Sequence, residues 1–457
     1  MNFSMQVTSS FKDGWERWKA LNTNQNRRRS KTEKSSRQRG QSSRLGRMTE
    51  SGTASTEVGA ANVPPSWIVG MATLTFGLVA GFLITALPFI LSKNGVSVDR
   101  IASISATAMS PTFWAFLLTP IVDVGVSRRF WSFALAIAAA FALAAALWLF
   151  SPQRLVLFTV LLLAAELMVV LQGNAVGGWT SEFLPDSMRG KVGGWTNAAN
   201  LGGGALGAML IMWLTRFMGF HAIGAMIGGL VIASTAVLGF FPPAVSPVLG
   251  ARRILGGTMK SVVRTSMQRH VLLGFLLFLS PAGAVAAINL FGGVGTDFHA
   301  SAERVIWITG AGAAITSAAG SILGGYLADR MERVIVYLCG GMLAGICSLM
   351  LALTPHTQAA LTAGVLVYNG MAGITYAAFT ALSFQFAGLK NPTAATQLGL
   401  FAASTNGAIV YMTWLDGRGY HLSGVRGLFL VDGLAAIVSA ILLLFFIRSR
   451  MRNEGGL

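Results

Sequence analysis

Few side chains in this 457-residue chain are placed to do chemistry, and the rarest kind, a carboxylate inside apolar sequence, is the most telling. Glu166 stands in the run Leu161-Leu162-Leu163-Ala164-Ala165-Glu166-Leu167-Met168-Val169-Val170. An uncompensated carboxylate there costs at least a few kcal/mol, so it must be paired, hydrated or protonated. A group that exchanges between such states suits reversible proton uptake. A neutral Glu hydrogen-bonded between helices is the competing reading. Asp432, about five residues from the end of its own apolar run, could reach Arg426, Arg418 or interfacial water and reads as part of a structural pair. Asn369, Gly373, Tyr376, Thr380 and Ser383 recur at i, i+4, i+7, i+11 and i+14, one face of a helix. Turned to lipid, that stripe would be costly, so it faces a cavity or a neighbouring helix. No Walker lysine motif, nucleophile elbow or metal-ligand spacing occurs, which argues against an enzyme, a bound cofactor or ATP as energy source.

These residues need helices to position them, and the chain supplies twelve apolar stretches. They lie near 67–91, 101–121, 130–150, 155–175, 192–213, 219–241, 271–292, 304–327, 335–354, 358–386, 394–415 and 427–447. Each approaches the roughly 20 residues that cross a hydrocarbon core of about 30 Å. With 53% hydrophobic and 11% charged residues, the expected class is an all-α polytopic membrane protein. Apolar alternation over about ten residues, the mark of a membrane β-strand, is missing.

Basic residues orient the chain. With both termini cytoplasmic, inward segments hold 27 of the 34 Lys and Arg. The net charge of +17 is therefore a topology signal rather than a nucleic-acid footprint. Cys339 and Cys347, eight residues apart on one helix, sit about 12 Å apart and cannot bridge. Residues 1–65 read as a disordered basic tail, with an interfacial helix over 11–21 behind Ser10 and carrying Phe11, Trp15 and Trp18. Met48 is an alternative start, since everything the membrane body needs follows it. The polar, basic connector 242–270 divides the spans into six-helix bundles at 66–241 and 271–447, followed by a tail at 448–457.

Internal similarity supports two parallel halves. Pro120-Ile121-Val122-Asp123-Val124-Gly125-Val126-Ser127-Arg128-Arg129 follows the second span. Gly324-Gly325-Tyr326-Leu327-Ala328-Asp329-Arg330-Met331-Glu332-Arg333 follows the eighth. The second copy resembles the G-x-L-A-D-R-x-x-R signature of the major facilitator superfamily, and the first is a looser version. The resemblance implies a twelve-helix fold and a gating role for Asp123, Arg128, Arg129, Asp329, Arg330 and Arg333. It also implies that spans one, four, seven and ten line a central pathway. Thr85, Glu166, Asn289, Asn369, Tyr376 and Thr380 would then surround one chamber as substrate-binding residues, with Glu166 as the proton-coupling group.

A narrower similarity is to the peptide/acetyl-CoA transporter family, which includes AmpG-type muropeptide permeases and related siderophore permeases. It rests on Gln172, Trp179, Leu184, Pro185, Arg189 and Gly190; Gly173 and Gly177 stand where that family carries two acids. The implied protein is a monomeric proton-coupled importer of a muropeptide-, peptide- or siderophore-like solute in a bacterial inner membrane. A non-transporting sensor or assembly factor on the same scaffold, and drug efflux, are the alternatives.

Overall fold

The computed structural model describes residues 63–123, 126–215, 217–244, 268–389 and 391–454. The expected tail helix at 11–21 and most of the 242–270 connector lie outside the described residues. Residues 61–440 form one compact unit. Among the described residues there are helices and turns but no strands.

Among the described residues eight helices are long and apolar enough to cross a membrane, and one of them, Ala394–Ile447, is a hairpin of two. The first span is Ser66–Lys93, the third Arg128–Trp148, the fourth Leu155–Phe183 and the sixth Phe220–Phe240. The eighth, ninth and tenth are Ala302–Arg330, Arg333–Leu353 and Gln358–Ala387. Three further passages are interrupted. The second begins as Val98–Met109 and continues in short turns entered at Pro111 and Pro120, where proline removes a helical donor. The fifth joins Arg189–Asn197 to Gly203–Leu214 through a wide turn at Ala198–Gly202. The seventh is regular only over Arg269–Leu279. The chain thus makes twelve passes, in two halves of six.

Where the eleventh span turns into the twelfth, Ser423 leaves helical geometry and Gly424 takes φ +62°, ψ −153°, a conformation open to glycine alone. The eleventh span therefore runs about seven residues beyond the boundary at 415 that its hydropathy suggests.

Each half has its own apolar core. Phe82, Leu83, Leu143, Phe158 and Leu162 anchor the first. Phe291, Phe298, Leu351, Tyr368 and Phe429 anchor the second, with the Phe291 and Tyr368 rings edge to face at 5.3 Å. The outer helix faces expose Phe141, Val156, Leu206, Ile315 and Leu353, a distribution suited to an apolar solvent.

Candidate functional site: a two-sided gate and a central cavity

The end of the bundle at which the first span begins, here the proximal end, is tied together by two acid–arginine constellations. Ser127 caps the third span by accepting from Phe130 N, which fixes the register that turns Arg128 inward. Arg128 Nε and Nη2 donate to Asp123 Oδ1 at 3.0 and 2.6 Å, and Nη1 donates to Glu182 Oε1 at 2.9 Å. The same guanidinium reaches the other half, donating to the carbonyls of Asn391 and Pro392 at 3.0 and 2.9 Å. Asp123 accepts from Thr396 N at 2.9 Å and Thr396 Oγ1 at 2.8 Å, so it caps the start of the eleventh span. Burial pushes the Asp123 carboxyl up from its ordinary range, and the Arg128 charge and the Thr396 donors oppose that push.

The second constellation mirrors the first. Asp329, at the end of the eighth span, accepts from Gly190 N at 2.7 Å and Lys191 N at 2.9 Å and so caps the fifth. Arg333 donates to Asp186 Oδ1 at 3.0 Å and to Gln385 Oε1 at 2.8 Å, and Arg189 pairs with Asp186 at 2.8 Å. Each half's acid therefore caps a helix of the opposite half. Of the residues expected to act in gating, Asp123, Arg128, Asp329 and Arg333 take part in these contacts. Arg129 is exposed, and Arg330 is also exposed and stacks over Tyr326 at 3.4 Å from the ring centroid. Glu182, Gln385 and Thr396 were not anticipated. Asp186 was legible only as part of the Leu-Pro-x-x-x-Arg-Gly motif.

Close backbone approach completes the proximal contact. A Cβ on Gly325 would lie 2.4 Å from Gly190 O, and one on Gly194 would lie 2.6 Å from Ser321 O. One turn further in, Asn197 Nδ2 donates to Thr380 Oγ1 at 2.8 Å and to Tyr376 O at 3.0 Å, joining the fifth span to the tenth.

Near these contacts lies a cavity of about 140 Å³, lined by Gly173, Gly177, Thr180, Thr380 and Ser383 and by apolar residues such as Val176, Phe379 and Leu398. Pockets for organic ligands of drug size run from roughly 300 Å³ upward, so this space is smaller than such a site.

Of the expected substrate residues, Thr380 lines the cavity. Asn369 is buried against the eighth span, accepting from Ser317 Oγ at 3.2 Å and donating to Val365 O. Tyr376 Oη faces Ala284 O at 3.5 Å. Asn289 is exposed and donates to Thr413 Oγ1 at 3.2 Å; Thr85 is exposed on the wide turn Phe82–Ala86. Glu166 is fully enclosed beside Leu162, Ala165 and Val169, and neither of its carboxyl oxygens meets a donor.

Two readings of the acids change. Asp432 accepts from Ser348 Oγ and from Tyr368 Oη at 3.0 Å, not from an arginine, because its helix face turns into the second core. A third enclosed acid, Asp416, joins Glu166 and Asp432; it was placed beyond the eleventh span, which runs on past it.

Residues 271–456 match the family model described as Major Facilitator Superfamily. The human organic anion transporter MFSD10 (TETRAN) superposes with a TM-score of 0.61 at 16% identity, covering 83% of this chain and 100% of its own. The fold is that of the major facilitator superfamily. Two other solved members of the fold agree. The proton:xylose symporter XylE has a TM-score of 0.62 at 13% identity, covering 84% of this chain and 95% of its own. The E. coli fucose:proton symporter FucP has 0.61 at 17%, covering 83% and 99%. No curated protein matches the sequence. At these identities the superpositions speak for the fold.

Proposed function

We propose that this chain is a secondary transporter that moves a small organic solute by alternating access of its two six-helix halves. The observation that carries the reading is the reciprocal gate. Asp123 and Asp329 each cap a helix of the opposite half, at the same end of the bundle. Contacts of this kind between rigid halves break and re-form as units, which is what alternating access requires.

The narrower assignment is proton-coupled import of a muropeptide-, peptide- or siderophore-like solute across a bacterial inner membrane, with both termini cytoplasmic. Glu166 supports the coupling, because an enclosed carboxyl without a protein donor must take up a proton or water to be stable. The solved symporters of the same fold that move xylose and fucose with protons are in keeping with it. The uncharged lining, in which Val176, Val192, Phe379, Phe384 and Leu398 stand beside Thr and Ser hydroxyls, suits an amphiphilic cargo rather than a multiply charged one.

The test is transport by purified protein in liposomes, screened across those solute classes. Glu166→Gln should abolish accumulation driven by a pH gradient while solute exchange persists. Normal accumulation in that variant would remove Glu166 from the coupling. Absence of flux and binding across the panel would favour a sensor.

A further inference from the structure

The second span carries a polar stripe that neither the gate nor the cavity beside it uses. Arg100, Ser103 and Thr107 stand at i, i+3 and i+7 of the helix Val98–Met109, while Ile101, Ile104 and Ala108 turn into the first core. All three polar side chains are exposed, and they line a groove of about 540 Å³ between this helix and the fourth span. Gln153 and Thr159 add polar groups on the far side, and Val156 and Val160 make that side partly apolar. The groove lies at the distal end of the bundle, where the first span ends at Lys93 and the second begins.

Its chemistry is one-sided. Among the described residues none that lines the groove is acidic, and Asp99, the acid nearest along the chain, is exposed and outside the wall. Among the described residues no hydrogen bond or ion pair engages the Arg100 guanidinium or the hydroxyls of Ser103 and Thr107. Gln153 Oε1 accepts from Ser151 Oγ, which leaves Gln153 Nε2 to donate. Thr159 differs, because its hydroxyl already donates to Leu155 O at 2.7 Å.

An arginine at the edge of a membrane helix serves as an anchor when it snorkels to the interface. Such an anchor needs no hydroxyls beneath it, yet Thr107 lies about 10 Å further into the span. The fourth span also ties the groove to the proximal cavity. Thr159 precedes Gly177 by eighteen residues, five whole turns, and Glu166 and Gly173 share that face between them. Gly173 and Gly177 line the cavity, so groove and cavity lie on one face of one helix. At about 540 Å³ the groove falls within the range of organic-ligand sites, which the cavity of 140 Å³ does not reach.

We propose that this groove is a distal receiving site for one anionic group, a carboxylate or phosphate, carried by an amphiphilic solute. Arg100 takes the charge with its planar fork, and Ser103, Thr107 and Gln153 donate to the remaining oxygens of the anion. Val156 and Val160 meet the apolar part. The cargo class rests on the transporter reading, but binding is measured without flux, so either can fail alone.

The experiment places a thiol in the stripe through Ser103→Cys, with Cys339 and Cys347 replaced by Ala, in nanodiscs of phosphatidylcholine. Labelling rates are compared for a methanethiosulfonate bearing a sulfonate and one bearing a trimethylammonium group. The anionic-to-cationic rate ratio should exceed that of free mercaptoethanol by about fivefold or more. Arg100→Gln should abolish the excess, and Arg100→Lys should keep it, since the charge stays. N-acetylphenylalanine should slow labelling saturably while its uncharged amide does not, and Arg100→Gln should remove that protection. Thr107→Cys carries the same expectations should Ser103→Cys fail to accumulate. A rate ratio indifferent to Arg100→Gln, or equal protection by acid and amide, overturns the proposal. So does protection that appears only when phosphatidylglycerol replaces part of the phosphatidylcholine, which would assign the groove to a lipid headgroup.

Discussion

At the scale of single residues, Arg128 and Arg129 are neighbours of one type whose surroundings make them unlike. Arg128 is 5% exposed and shares its guanidinium among two carboxylates and three carbonyls, whereas Arg129 is exposed. Removing one member of a buried charge network strands the others, at a cost of about 3–5 kcal/mol. Arg128→Ala should therefore lower the melting temperature sharply, and Arg128→Lys should recover little, because an ammonium cannot reproduce the planar fork. Arg129→Ala should stay within about 0.5 kcal/mol of the parent in the same thermal measurement. Equal losses at the two positions would mean that the register set by the Ser127 cap is wrong. Motif and composition named both arginines for the gate. Only the helix start, which a sequence gives to within a few residues, separates them. The same limit hid Asp416: a span ended at 415 on hydropathy, and one more helical turn carried the acid inside.

At the scale of elements, the contact between the fifth and eighth spans rests on small residues that let backbones meet. A side chain at Gly325 has no room while Gly190 O lies 2.4 Å from where its Cβ would stand. Within either half such a substitution would strain a core. Here the contact joins the halves, so the strain can be relieved by their separating. Gly325→Val should thus shift the protein toward a proximally open state. Spin labels at Arg129→Cys and Arg330→Cys, exposed positions on opposite halves, should report a longer and broader distance distribution than in the unsubstituted background. A distribution that does not move would show that the seam tolerates the bulk and does not govern closure. Several elements were readable in advance, since the twelve apolar runs have local signatures, and at Ser280-Pro281 the seventh span shows a break of the kind proline imposes. The length of unwound chain after that break was not. Nothing in Val285, a β-branched residue poorly suited to positive φ, marks it for a left-handed turn. Tyr411 of the eleventh span and Tyr376 of the tenth hold that segment by the carbonyls of Leu279 and Ala284, and their approach is set by packing rather than by local sequence.

At the scale of the whole molecule, the two acid–arginine motifs are related by the exchange of halves. Asp123 of the first half caps the eleventh span, and Asp329 of the second half caps the fifth, the equivalent helix six spans earlier. Similar decapeptides after the second and eighth spans made the duplication visible. The crossing of each acid to the opposite half was not visible, because no sequence pattern says which helix start a carboxylate will meet. This arrangement has an energetic consequence. If the halves move as rigid bodies, both caps are made or broken in one event, and each contributes its own increment to the same closed-to-open equilibrium. A carboxylate bonded to backbone N–H groups is worth roughly 1.5–3 kcal/mol, so each of Asp123→Ala and Asp329→Ala should lower the closed-to-open ratio by about tenfold or more. The sites share no partner, so the logarithms of those ratios should add in the double variant to within about 0.5 kcal/mol. The populations can be read from the same spin-label pair. A double variant no more open than the stronger single one would show that the first lost cap already frees the gate. The halves would then part hinge-wise from one corner instead of together.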